Sequence, residues 1–574
     1  MKCFLKIVGE NYVNFNGRAS REEYWMFTLF SVIFSIVALA ADNIFGTAFT
    51  IEVGSYSVSM GVGWIYVIYI LALIRPALSL LVRRLHDTGK SGWFYFITLI
   101  PLVGPIWILI ILCTDSDPGE NNYGLASDFN LKKGHDLKML GEPDKMLSSS
   151  IPAENVYLHP MDFFGIKPKL LVKQDDIVSV GSPIFFDKLN PEVKFVSPIS
   201  GMVSEIQFGE RRVIEKIVIK GDGKLNTHKV VLSKVDELSA DDLKSRLTES
   251  GLWPSIRQLP FSKIANPSQV PRDIFVSVLS TAPFAVDYAF VLGGREKDFQ
   301  AGLDSLAKLT NGSLHLNMST AESAPIFTEA KNVKLNRFSG PHPAGNIGIQ
   351  IHHLAPISSK RDIVWYLNPQ AIADIGEYLR TGNYPTEKII TIGGSSISKP
   401  AYYKITTGSS LKDILVDMLN SKEGIRIISG DVLSGKTRLL DQGIRFYDET
   451  ISVIPESTER EFLGWALPGF KKYSLSRTFL SALVKKKSTT FDTSMNGSHR
   501  AIVSFGRWES VLPMDILPEL LVKSILARDI EEMEKLGIYE CAEEDFALCS
   551  FVCQSKTDVS GIIRTGLQLA EQEG

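Results

Sequence analysis

The 574-residue sequence predicts a multidomain chain, an α-helical membrane module followed by a soluble body of α/β and β domains. Three observations carry that prediction. The length is three to four times that of one domain. Long apolar runs are confined to the first 125 residues, among only 8 Lys+Arg and 9 Asp+Glu. Beyond residue 150, short strand-like and helix-like segments alternate, and no run is long enough to span a bilayer. The 45% hydrophobic and 22% charged content excludes disorder along most of the length. A net charge of −3 argues against a general nucleic-acid binder. Five cysteines cannot make a disulfide framework, so a reducing compartment is expected.

The module, residues 1–125, holds apolar runs at 24–41, 62–82 and 93–113. A globular segment this short could not cover three all-round apolar helices, so the runs are read as membrane helices. Trp25, Trp64, Trp93 and Trp107 are half of the 8 tryptophans, three of them near run ends as interfacial anchors should be. Lys2, Lys6, Arg18 and Arg21 precede the first run, loop 42–61 has no Lys or Arg, and Arg83, Arg84 and Lys90 follow the second. The positive-inside rule places the N-terminus and loop 83–92 in the cytoplasm. The third run is broken by Pro101-Leu-Val-Gly-Pro105. It is expected to re-enter rather than cross, keeping the soluble body cytoplasmic. Arg75, inside the second run, is read as a snorkelling residue.

Phe15-Asn-Gly-Arg-Ala-Ser-Arg-Glu-Glu-Tyr-Trp25, Arg83-Arg-Leu-His-Asp-Thr-Gly-Lys-Ser-Gly-Trp93 and Pro118-Gly-Glu-Asn-Asn-Tyr-Gly124 resemble a bacterial inner-membrane family, domain of unknown function 805. The resemblance implies a bacterial inner membrane, with lipids as neighbours, and no particular chemistry.

Residues 126–150 are polar and turn-rich and are expected to be a linker. In 151–225, the phrases Val172-Lys-Gln-Asp-Asp-Ile-Val-Ser-Val-Gly-Ser-Pro-Ile184 and Val196-Ser-Pro-Ile-Ser-Gly-Met-Val-Ser-Glu-Ile206 resemble the biotinyl/lipoyl carrier barrel-sandwich. Lys188 lies near the position modified in such carriers. Its neighbours Asp187 and Leu189 do not match a modification site, so an unmodified hairpin is expected. Residues 226–385 form a Rossmann-like α/β domain, with strands expected at 274–279, 288–292 and 313–318, and a further strand expected at 388–392. Helices are expected at 296–309 and 369–379. Its Gly293-Gly294-Arg295 turn is not G-x-G-x-x-G and cannot cradle a pyrophosphate.

Gly430-Asp-Val-Leu-Ser-Gly-Lys-Thr437 satisfies the phosphate-loop pattern through Gly430, Gly435, Lys436 and Thr437 after a strand-like 425–429. A functional loop needs a long helix next. Here only 438–442 could be helical before 444–447 and 450–454, which read as strands. His352 and His353, read on a strand, point to opposite faces and cannot share a metal ion. Two readings of His342 and His352 stand open, hydrogen-bonded structural histidines, the commoner case, or donors to the carbonyl of a quinone. Cys541, Cys549 and Cys553 are too few for an all-cysteine cluster and are read as buried free thiols.

Phe338-Ser-Gly-Pro-His-Pro-Ala-Gly345, Ile428-Ser-Gly-Asp-Val-Leu-Ser-Gly435, Ser452-Val-Ile-Pro-Glu-Ser457, Phe462-Leu-Gly-Trp-Ala-Leu-Pro-Gly-Phe470, Met514-Asp-Ile-Leu-Pro518 and Glu543-Glu-Asp-Phe-Ala-Leu-Cys-Ser-Phe-Val-Cys553 resemble the A-subunit family of bacterial sodium-translocating NADH:quinone reductase. The resemblance covers about residues 135–574. It implies a ubiquitin-like β-grasp domain at 386–455 and a mostly helical domain at 456–574. It also implies membership of a six-subunit translocase in the respiratory chain, without catalysis of the chain's own. No tightly or covalently bound cofactor is expected, ubiquinone is the associated substrate, and nucleic acid is not a partner. Where that family often reads His-x-His, this chain has Gln350 and His352, and the family's turn normally lacks the Lys436-Thr437 pair. The alternatives are a membrane-tethered nucleotide-binding protein using Gly430–Thr437, or an assembly or adaptor protein without a quinone role.

Overall fold

The computed structural model describes residues 2–9, 12–53, 56–101, 103–114, 123, 129–224, 238–421, 423–457, 463–464, 466–470, 472–483 and 488–574. They form two units, Met1–Phe129 with His353–Ala355, and Asn130–His352 with Pro356–Gly574. Most of the motif at 118–124 lies outside the described residues, as do Phe462 and Trp465.

In the first unit the first two apolar runs become helices Arg21–Ile44 and Trp64–Asp87. At 24 residues each, they rise about 36 Å, enough to cross a bilayer. Few of their side chains are buried, unlike those of a soluble protein's core helix. Ser20 starts the first helix by accepting the Glu23 N–H at 3.2 Å. Asp42, near its end, accepts the N–H groups of Gly63, Ile65 and Tyr66 at 2.9–3.0 Å, and so caps the second helix. The loop expected between the helices contains an antiparallel pair, Ala48–Val53 and Tyr56–Gly63. The alternation Ser57-Val-Ser-Met60 is its period-two signal in the sequence. The third run divides into a 3₁₀ helix, Gly92–Leu99, and an α-helix, Val103–Cys113. The latter's 11 residues rise only about 17 Å. At the end of the second helix, Asp87 is buried between Arg84 and Arg18, the latter at 2.9 Å.

In the second unit, residues 155–221 fold into two sheets. One has the order Asn155–Leu158, Ile214–Gly221, Gly201–Phe208, Ile177–Val178. The other has Pro168–Leu170, Pro183–Asp187, Lys194–Val196. Lys188 is exposed at a hairpin tip, while Asp187 is buried and accepts N–H groups of Lys167 and Leu189.

The α/β sheet runs Lys263–Ile264, Arg257–Leu259, Val364–Leu367, Ile274–Ser277, Leu314–Ser319, Lys334–Ser339. The last four strands are parallel. Trp253 and Trp365 meet edge to face at 5.5 Å in its core. Helices Glu296–Ala307 and Pro369–Thr381 pack through two glycines. A Cβ on Gly376 would lie 1.8 Å from the Asp298 carbonyl oxygen, and one on Gly302 2.1 Å from that of Ile372. A six-stranded sheet follows, in the order Lys436–Arg438, Ile425–Ser429, Thr450–Pro455, Glu387–Gly393, Ala401–Thr406, Asp144–Ile151.

Several expectations are corrected. Residues 288–292 are helical rather than extended, because Asp287 accepts the Phe290 N–H and opens the turn Tyr288–Val291. His352 and His353 lie on helix Ile347–Leu354, not a strand. That helix is part of the crossover that two parallel strands require. Residues 444–447 are a loop whose aromatic side chains pack inward instead of pairing, and 436–438 is a strand. The linker expected at 126–150 supplies most of the edge strand Asp144–Ile151, which joins its sheet through backbone bonds and shows no apolar alternation. Among the described residues of the 456–574 region, the α-helices lie within 518–573. The described residues of 456–517 contain turns and one short 3₁₀ helix, Leu480–Leu483.

Candidate functional site

Strand order in the parallel sheet reverses between Ile274–Ser277 and Val364–Leu367. From the first of these neighbouring strands the chain passes on to Leu314–Ser319 in the same sheet, from the second into the six-stranded sheet, and a crevice lies at their carboxyl ends. A cavity of about 300 Å³ lies there, walled by Ser280 and Thr281 after the first strand and by Asn368 to Gln370 after the other. Asn368 starts helix Pro369–Thr381 by accepting the Gln370 N–H at 2.9 Å.

Arg257 forms one wall. Its guanidinium lies 4.9 Å from the Tyr366 ring centroid and 4.8 Å from that of Tyr447. The Tyr447 hydroxyl donates to the Pro254 carbonyl at 2.7 Å, which fixes the ring. Burial pushes both phenols well above their ordinary range. Among the described residues, no acceptor lies within hydrogen-bond distance of the guanidinium.

The opposite wall is a closed polar network. Glu449 accepts from the Tyr288 hydroxyl at 2.8 Å and from the Gln370 amide at 2.5 Å, and Asn368 donates to Tyr288 at 3.2 Å. Lys388 donates to the Phe446 carbonyl at 2.9 Å, and burial pulls its ammonium pKa down. Arg295 holds Asp374 at 2.8 Å, yet burial lifts that carboxyl to about 6.

His342 sits behind this cavity. Its Nδ1 is 3.2 Å from the Thr281 hydroxyl, which accepts the Gly345 N–H at 2.9 Å. The His342 backbone N–H donates to Asp136 at 2.8 Å. Burial lowers the imidazole pKa, so the ring is neutral near pH 7. Gln350 donates to Ser277 at 2.9 Å and accepts from Asn317 at 2.9 Å, bracing the same strand ends.

His352 is held elsewhere. Its Nε2 accepts the Asp515 N–H at 3.0 Å and its Nδ1 pairs with Glu540 at 2.5 Å, so it joins two C-terminal segments and does not line the cavity. Gly430 and Gly435 frame the turn of an antiparallel hairpin, with Lys436 and Thr437 exposed on its second strand. The Asp431 carboxylate takes the N–H groups of Leu433 and Ser434 at 2.7 and 3.1 Å. Donors that a phosphate would need are therefore already used, and no helix follows. Cys541, Cys549 and Cys553 are buried, and no metal-ligating cluster occurs among the described residues. Arg257, Tyr288, Lys388, Tyr447 and Glu449 carried no signal in the sequence. Only the Asn368-Pro369 helix start marked the place.

Family models match four stretches. They are a protein of unknown function (DUF805) at 12–125, the NqrA N-terminal barrel-sandwich hybrid domain at 129–222, the NqrA second alpha/beta domain at 238–384, and the NQRA C-terminal domain at 389–438. The A subunit of the Na(+)-translocating NADH-quinone reductase of Yersinia pestis is 37% identical over 448 residues, covering 77% of this chain and 99% of that protein. Its counterpart from Rhodopirellula baltica is 36% identical over 449 residues, covering 77% and 98%. An NAD+-reducing [NiFe]-hydrogenase structure aligns over 61% of this chain and 68% of its own at 13% identity, with a TM-score of 0.32, too slight a likeness to bear on the fold. The length and identity of the reductase matches show that the chain belongs to the NqrA family, the A subunits of Na(+)-translocating NADH-quinone reductase.

Proposed function

We propose that this NqrA-family chain takes the headgroup of a quinone, ubiquinone in the first instance, into the switch-point cavity. In this reading it holds no redox cofactor of its own and is fixed to the bacterial inner membrane by its N-terminal unit. The observation that carries the quinone reading is the Arg257 guanidinium, placed between two aromatic rings at the cavity wall with its donors unclaimed. A quinone is a flat ring with carbonyl oxygens at opposite ends, and such a site offers apolar walls plus a few fixed donors. Arg257 and the Ser280 and Thr281 hydroxyls supply donors. Reduction to quinol takes two electrons and two protons. The electrons arrive through partner subunits, which also move sodium. Asp374, poised near pH 6, and His342, one hydroxyl behind the wall, are placed to exchange protons. Co-purification of the complex followed by photolabelling with an azidoquinone tests this. Adducts on 279–281 or 366–370 are expected, and adducts confined to other subunits would overturn it.

The anchor reading is supported by two helices of bilayer length and a third segment too short to cross. With basic residues at the 83–90 end, the N-terminus and the soluble body lie in the cytoplasm. A cysteine placed near residue 120 should resist labelling from outside intact cells. Labelling there would reverse the topology.

A further inference from the structure

We propose that Arg75 and the helix face around it dock against a membrane-spanning helix of a partner protein, one that carries a carboxylate at the depth of Arg75. This rests on the anchor reading, in which helix Trp64–Asp87 crosses the bilayer, and goes beyond it by giving the anchor a second task. Arg75 is the sole charged residue in 64–82. It lies eleven residues after Trp64 and eight before Arg83. Those steps are about 16 and 12 Å along the axis, which puts Arg75 near the middle of the apolar length.

The helix has two faces. Leu73, Pro76 and Leu80 are buried, the two leucines in a cluster with Phe4, Ile7 and Phe27. On the other side Trp64, Ile68, Leu71 and Leu78 are 46–64% exposed, and Arg75 is exposed among them. Steps of four, three, four and three along that row are the spacing of a helix–helix seam. Acyl chains cover leucine and isoleucine as well as a protein would, but they offer a guanidinium nothing. Charges inside a membrane face other helices, or a water-filled cavity between them, and are paired there. One turn back on the same helix, the Ala72 carbonyl that Pro76 releases already takes the Tyr12 hydroxyl at 2.6 Å. Among the described residues Arg75 has no hydrogen-bond or ion-pair partner.

Snorkelling does not meet the charge. Helical side chains lean toward the N-terminus, so that of Arg75 leans toward Trp64 and the farther interface. Snorkelling serves residues near helix ends, and Arg75 is not near one. A second copy of this chain does not meet it either, because 24–41, 64–82 and 93–113 contain no Asp or Glu. A carboxylate on another protein's helix does, since its two oxygens match the guanidinium fork.

The test uses the full chain in native inner-membrane vesicles, with a photoactivatable phenylalanine at Leu71 or Leu78. The control position is Val37, on the exposed face of helix Arg21–Ile44. Irradiation should join the first two positions to one membrane protein, through a helix with an Asp or Glu at mid-depth, and give lipid adducts at Val37. Arg75→Leu should cut the protein adducts about tenfold, through loss of a buried ion pair. Changing the partner's carboxylate to its amide should do the same. Exchanging the charges, Arg75→Glu together with the partner's carboxylate changed to Arg, should restore the yield. Lipid adducts alone, adducts between two copies of this chain, or an unchanged yield in Arg75→Leu would overturn the proposal. Leucine is favoured in a bilayer, so Arg75→Leu leaves the anchor intact. Alkaline extraction of the same vesicles reports the anchor separately. A chain that resists extraction and yields only lipid adducts sinks this proposal and leaves the anchor standing, whereas a chain stripped by alkali sinks both.

Discussion

Arg257 and Tyr366 are direct partners across the antiparallel pair Arg257–Leu259 and Val364–Leu367, and the guanidinium covers the ring at 4.9 Å. Cross-strand register therefore puts a cation on the wall of the switch-point cavity. Arg257→Lys keeps the charge but loses the planar stack and the fork of donors. Quinone binding, followed by photolabelling yield, should weaken by about tenfold, the loss of one charge-assisted hydrogen bond.

Glu449 is buried and its two oxygens satisfy Tyr288 and Gln370. Glu449→Ala leaves both donors unpaired in the interior, at a cost of about 2–4 kcal/mol. Urea unfolding of the soluble body should shift to a lower midpoint. An unchanged midpoint would show that water replaces the carboxylate.

His159 is buried, with its Nδ1 3.1 Å from the Glu215 carbonyl oxygen, and burial lowers its pKa to about 4. The unfolded ring takes up a proton near pH 6.5, before the folded one does. Its contribution to stability is thus complete above pH 6.5 and lost as pH falls toward 4. In the limit this is about 3 kcal/mol. His159→Gln should flatten that part of the stability–pH curve, as followed by denaturant melts at pH 7.5 and 5.

Asp87 sits between two buried guanidinium groups. Asp87→Ala strands both charges and should destabilise the first unit by about 3–5 kcal/mol. Thermal melting in detergent should show this as loss of the first unit's transition. The single variant Arg18→Met, which keeps the Arg84–Asp87 pair, should be milder.

Much of the architecture was legible. The long apolar runs became helices because an apolar stretch of that length has few other ways to bury its backbone groups. The glycine-rich hairpin at 430–437 was legible as one that no helix follows, since Gly443 and β-branched residues stop helix growth. What failed were short segments. Tyr288-Ala-Phe-Val291 has strand-like composition, yet a capping aspartate and a following glycine pair decided for a helix. The edge strand at 144–151 has no apolar pattern because its side chains stay in water.

By itself, the sequence determined which segments are apolar enough for a membrane, which motifs tie the chain to its family, and that the glycine-rich segment at 430–437 lacks the helix a phosphate loop needs. These are local properties, set by spacing and composition along a few tens of residues. The tertiary structure alone decided that Arg257, Tyr288, Tyr366, Lys388, Tyr447 and Glu449 face one cavity, and that His342 backs it while His352 does not. Those side chains come from separate strands and loops. Only the packing of the six-stranded sheet, whose strands Glu387–Gly393 and Thr450–Pro455 bring in Lys388, Tyr447 and Glu449, against the ends of the parallel strands closes the cavity, and no local pattern encodes which strands will be neighbours.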